Sequence, residues 1–214
     1  AATHPSKMTT CRSTKLRHTY SLALVALTSI LLVGCTPAAS DEPEVKVFDL
    51  TGKAINPLRQ TDAAAQVFLF ARTDCPISNR YAPEIRRLHK EFNPQGVTFY
   101  LVYPDPAESA ANIQQHIEDY EYPFTGLRDP SHRLVKCAGA TVTPEAAVFS
   151  KQGKLLYCGR IDDWYADFGK ARPEPTQRDL HTALTAALAG KAVPPPTGKA
   201  IGCFITDLTP QSSP

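Results

Sequence analysis

Cys75 closes an apolar run and opens what reads as a helix, in Val67-Phe68-Leu69-Phe70-Ala71-Arg72-Thr73-Asp74-Cys75-Pro76-Ile77-Ser78. A thiol at a helix start meets free N–H groups and the positive end of the dipole, both of which favour the thiolate. Such a cysteine falls from roughly 8.5 to about 3.5–7.5 and becomes a nucleophile toward disulfides. Asp74 opposes that shift, so a modest depression is expected. Further along, Ala140-Thr141-Val142-Thr143-Pro144-Glu145 sets a proline turn just before a second apolar strand. If Thr143–Pro144 is cis, a state found at about 5–6% of X–Pro bonds in folded proteins, the Thr143 backbone is free to pair with an extended substrate beside Cys75. Ser78 is placed to hydrogen-bond the sulfur, but Cys-Pro-Ile-Ser has one thiol where a local dithiol needs two. A second thiol must come from elsewhere. Cys203 is the first candidate, because Gly202-Cys203-Phe204-Ile205 is an apolar motif in a Pro-rich tail and suggests docking on the domain. The alternative is a packed thiol or a bond to Cys137 or Cys158, which read as structural.

The compartment bears on these thiols. From Met8 the chain runs through a basic stretch (Arg12, Lys15, Arg17), an apolar run from Tyr20 to Val33, and Leu32-Val33-Gly34-Cys35. An apolar run of this length suits a signal peptide better than a bilayer span. Leu-Val-Gly-Cys resembles a bacterial lipobox, which implies cleavage before Cys35 and lipid on its thiol. Residues 1–34 are then upstream sequence and signal, 35–44 a lipidated tether, 45–191 the folded domain and 192–214 a Pro-rich tail. The expected location is the cell envelope, membrane-anchored and facing the periplasm or exterior, where disulfides persist. A net charge of +2 over 214 residues gives no reason to expect nucleic acid as a partner.

The elements that must position Cys75 follow from periodicity. Val45 to Leu50 alternates as a strand, and Gln66 to Ala71 is a run apolar from Val67 on, as in a central strand buried on both faces. Ile77, Tyr81, Ile85, Leu88 and Phe92 recur at helical spacing, and Val97 to Tyr103 is a further strand. Helices are expected over Ala107 to Tyr120, Ser131 to Cys137 and Gln177 to Ala189, and a hairpin over Ala146–Phe149 and Lys154–Arg160. This order predicts an α/β fold, a central mixed sheet with helices on both faces. Asp162-Asp163-Trp164-Tyr165 reads as a loop anchored by its aromatic, with a lid or partner surface as the alternative. His89 and His116 are expected on polar helix faces without a function.

The cysteine opening the helix, Pro83 eight residues into it and the Thr143-Pro144 turn together resemble the thioredoxin superfamily, specifically its redoxin branch. The string Asp74-Cys75-Pro76-Ile77-Ser78-Asn79-Arg80-Tyr81-Ala82-Pro83-Glu84 looks like that of exported bacterial redoxin lipoproteins. The resemblance implies a thioredoxin-like fold over roughly 45–191 and thiol–disulfide exchange. Cys75 attacks, Thr143 and Pro144 hold the substrate strand, and Cys203 resolves the mixed disulfide. It implies as partners a protein thiol or disulfide and an electron donor, with no cofactor. Two other activities occur on this fold. Peroxidases of the branch place Thr or Ser three residues before the cysteine, where this chain has Arg72, with Thr73 one later. Copper carriers use a second cysteine where this chain has Asn79, plus a distant histidine, for which His132 near Asp129 is the candidate.

Overall fold

A computed structural model describes residues 45–59, 62–206 and 208. The segment expected as a signal, Cys35 and the expected tether lie outside the described residues, and no helix among the described residues is long and apolar enough to cross a membrane. The strands are Val47–Asp49 (β1), Ala54–Ile55 (β2), Ala65–Phe70 (β3), Val97–Tyr103 (β4), Gly126–Arg128 (β5), Val142–Thr143 (β6), Glu145–Ser150 (β7), Leu155–Gly159 (β8), Tyr165–Asp167 (β9), Lys170–Ala171 (β10) and Cys203–Phe204 (β11). The helices are Pro76–Arg80 (α1), Ala82–Phe92 (α2), Ala110–Asp119 (α3), Arg133–Ala138 (α4) and Asp179–Leu188 (α5).

Among the described residues, seven strands form one mixed sheet in the order β2-β1-β5-β4-β3-β7-β8. Strand β3 runs parallel to β4 and antiparallel to β7, so the apolar run before Cys75 is the sheet's interior. All six of its residues are buried. Side chains alternate across a strand: Val67 and Leu69 join one core with Ile85 and Leu88 of α2, Ile113 of α3 and Leu180 and Leu184 of α5. Phe68 and Phe70 join the other with Leu134 and Val135 of α4. Helices therefore cover both faces, as the sequence predicts.

The expected helix from Ile77 to Phe92 is two helices, broken at Tyr81. Pro83 has no N–H to continue the ladder, and the Tyr81 N–H turns back to the Ser78 carbonyl at 3.1 Å. The five apolar side chains still bury together, so the periodicity survives the break. Helix α3 starts later than expected because Ser109 caps it, its hydroxyl accepting from the Asn112 N–H at 3.1 Å. The loop after β8 is an anchored segment rather than an open lid. Trp164 packs edge-on against Tyr81, and its indole N–H donates to the Arg172 carbonyl at 2.8 Å. Asp163 accepts from Thr176 and Gln177.

Candidate active site

Strand β3 ends at the floor of the site, and Cys75 is the residue that caps α1, extended in backbone and 1% exposed. Thr143–Pro144 is cis, and β6 lies beside the cysteine: the Cys75 thiol reaches the Thr143 carbonyl at 3.2 Å. Glu145, just past the proline, accepts from the Thr141 and Val142 N–H groups at 2.7 and 3.3 Å and so holds the turn. That leaves the outer edge of β6 for another strand.

The tail takes this edge. Strand β11 pairs antiparallel with β6, Cys203 opposite Thr143 and Phe204 opposite Val142. The Ile205 N–H extends the ladder to the Thr141 carbonyl at 3.0 Å. The pairing brings Cys203 Sγ to 2.8 Å from Cys75 Sγ, with both thiols free. Upstream, the tail is clamped at Thr197, whose N–H and hydroxyl both donate to Asp179 at 2.7 Å while its hydroxyl also accepts from Arg160.

The two sulfurs differ in character. Burial opposes ionisation of Cys75, yet the Cys203 thiol and the Ser78 backbone outweigh it, so Cys75 lies below an ordinary thiol. The buried Ser78 hydroxyl, expected on the sulfur, makes no hydrogen bond to it. Cys203 is pushed up to about 11 by its own partial burial and by the charge of Cys75, with Arg72 acting in the opposite sense. Of the pair, Cys75 is the more readily ionised and Cys203 the less. Cys158 is pushed up to about 12 by burial and Cys137 is raised for the same reason, as suits inert thiols.

A buried polar network that the sequence reading missed holds the loop before Cys75. Glu108 accepts from the Thr73 N–H and hydroxyl at 3.0 and 2.7 Å. Asn79 donates to the Thr73 carbonyl at 2.9 Å, and its own carbonyl faces His116 Nε2 at 2.8 Å. His116 Nδ1 lies 2.8 Å from the Tyr103 hydroxyl. Since the Asn79 carbonyl can only accept, Nε2 carries the proton and Nδ1 accepts from Tyr103. Burial pushes His116 down and keeps it neutral. This corrects the expectation of a solvated His116: it is 5% exposed and wired to the active-site loop. Its spacing with Ile113 and Ile117 on α3 was the available signal. His132 is likewise buried, donating from Nε2 to the Pro104 carbonyl at 3.0 Å, while Asp129 caps α4. Among the described residues no three histidine, cysteine or acidic side chains gather as a metal site.

A family model described as the AhpC/TSA family matches residues 41–158. The chain belongs to that family. Among solved structures, an uncharacterized conserved protein from Geobacillus kaustophilus is 26% identical, with 77% of this chain and 89% of that one covered at a TM-score of 0.63. A hypothetical protein from Sinorhizobium meliloti 1021 is also 26% identical, covering 75% and 88% at 0.61. A candidate thioredoxin from Neisseria meningitidis, at 20% identity, 70% and 92% coverage and a TM-score of 0.51, shares the fold. Nothing among curated proteins matches the chain. The fold is thioredoxin-like and the chain stands in the redoxin branch, in agreement with the sequence reading.

Proposed function

We propose that this protein is a thiol–disulfide oxidoreductase of the cell envelope, with Cys75 and Cys203 as its redox pair. The observation that carries this reading is the 2.8 Å approach of the two sulfurs beside a cis-proline turn. The Cys75 thiolate attacks one sulfur of an outside disulfide, R–S–S–R′, forming Cys75–S–S–R and releasing R′–S⁻, which takes up a proton. Cys203 then gives up its proton and attacks the Cys75 sulfur, releasing the second thiol. The outside disulfide has gained two electrons, and the protein holds a Cys75–Cys203 bond. The Ser78 backbone favours the Cys75 thiolate. A protein thiol pair acting as electron donor returns the site to its reduced state, and lipid on Cys35 ties the domain to the membrane.

Two observations weigh against the other readings. The Thr73 hydroxyl, the nearest hydroxyl in sequence for holding a peroxide, is spent on Glu108. The histidine offered as a distant copper ligand donates to a backbone carbonyl. The test is differential alkylation with mass spectrometry on the full-length protein after oxidation by a small disulfide. A reducible Cys75–Cys203 bond is expected. Cys75 recovered free, beside a stable bond elsewhere, would overturn the assignment.

A further inference from the structure

The edge of β6 is expected to receive a substrate strand, yet the protein's own tail lies on it. We propose that Gly202–Ile205 is a built-in strand ligand of the active site, so that an outside polypeptide reaches Cys75 only after the tail has left. Gly202 is the residue that lets the tail dock. The inference deepens the redox reading above and rests on it for the identity of the outside partner.

Three features make the tail a ligand rather than a strand passing by. It pairs in register, with a ladder that runs from Cys203 opposite Thr143 to the Ile205 N–H on the Thr141 carbonyl. It brings a sulfur to the attacking sulfur, the place a substrate cysteine would take. It also meets the turn with a glycine where no side chain fits: a Cβ at Gly202 would land on the Thr143 carbonyl, 2.6 Å from its carbon and 3.1 Å from Pro144 N. The backbone of Thr143 cannot retreat, because Glu145 ties the turn on one side and the Cys75 thiol meets the Thr143 carbonyl on the other.

Competition with this ligand is unequal. A tethered segment acts at an effective concentration on the order of mM, so a substrate at ordinary concentration meets a closed site while the tail is docked. Closure depends on few contacts, since Phe204 is 79% exposed and Cys203 only half-buried. The Cys75–Cys203 bond of the oxidised protein pins the tail in place, whereas in the reduced protein, with both thiols free, only the β6 ladder holds it and it can leave. The site is therefore open to a strand only in the state that has electrons to give. The chemistry the edge fits is an extended segment whose cysteine follows a glycine, since only that backbone clears Thr143 beside Cys75.

The experiment measures the alkylation rate of Cys75 by iodoacetamide in the reduced full-length protein, read by mass spectrometry. Rates are compared on the alkaline plateau, so that changes in thiol ionisation do not enter. Gly202→Val keeps both cysteines but undocks the tail, and Ile205→Pro removes the N–H that extends the ladder. A rise of about tenfold or more over the native chain is expected in both, as local opening no longer limits access. An unchanged urea midpoint confirms that the domain stays folded. The peptide Ala-Ile-Gly-Ser-Phe-Ile, in which serine prevents disulfide formation, is then expected to slow Cys75 in the Gly202→Val protein. The same peptide with valine for glycine is expected to leave it fast. Equal rates in native and variant chains would overturn closure by the tail, and acceleration without protection by the first peptide would overturn strand recognition. The disulfide mapping above is independent of both: a tail that guards Cys75 without ever bonding to it would sink the redox pair and leave this inference standing.

Discussion

Cys75 and Cys203 meet at one point but are held by unlike means. Cys75 ends a strand buried along its whole length, and the loop before it is wired through Glu108, Asn79, His116 and Tyr103. Cys203 is carried by a two-residue strand whose neighbour Phe204 is in solvent. The fixed half sets where chemistry happens. The movable half decides when the site is filled. A reactive pair built this way can exchange partners without disturbing the core, because the buried strand and wired loop that hold Cys75 do not depend on the tail.

The sharpest way to break this contrast is to damage the fixed half. Phe68 is fully buried in β3, stacked on Tyr100 and edge-on to Phe149. Phe68→Ala is expected to cost about 3–5 kcal/mol in urea unfolding, a loss that no tail substitution reproduces. A smaller effect isolates the wiring. Asn79→Ala leaves His116 Nε2 and the Thr73 carbonyl without their partner, and should cost about 1–3 kcal/mol. It should leave the tail docked, so the peptide used above would still be excluded.

A further effect is on pH dependence, and it separates the thiols by sign. Cys75 is lowered from 9.0, so below that value the folded protein binds fewer protons than the unfolded chain. Its contribution to stability is present above pH 9 and fades as pH falls through its folded pKa. Cys203 and Cys158 are raised from 9.0 to about 11 and about 12, so theirs is present below pH 9 and fades as pH rises. Urea midpoints should therefore fall above pH 9, and Cys158→Ser should flatten that limb while leaving the Cys75 limb intact. A limb unchanged in Cys158→Ser would place the loss elsewhere.

Much of the fixed half was legible in the sequence, because β3 and β4 are mostly apolar runs, broken only by Gln66 and Thr98, and α2 keeps its spacing through Phe92. The thiol at a helix start and the Thr143-Pro144 turn marked the site for the same reason: both are local signals. What escaped was non-local. His116 shares the buried face of α3 with Ile113 and Ile117, but its partners, the Tyr103 hydroxyl and the Asn79 carbonyl, are brought to it only by the folded chain. The motif at Gly202 suggested docking, but not that the tail would sit on the strand edge expected for a substrate. That choice depends on the unoccupied edge of β6, which exists only once β7 has turned away at Pro144. The break at Tyr81 was implied by Pro83, yet periodicity alone runs through it.

The clamp at Thr197 sets a length scale for everything downstream. The six residues from Gly198 to Cys203 follow it, and fully extended they span at most roughly 20 Å. An undocked Cys203 is thus on a short leash, confined to the neighbourhood of its own Cys75. A second molecule can borrow that thiol only by coming within the leash or by loosening the bonds from Thr197 to Asp179 and Arg160. The exchange of tails between copies is discouraged by geometry, and the thiol that leaves the site is the one most ready to return.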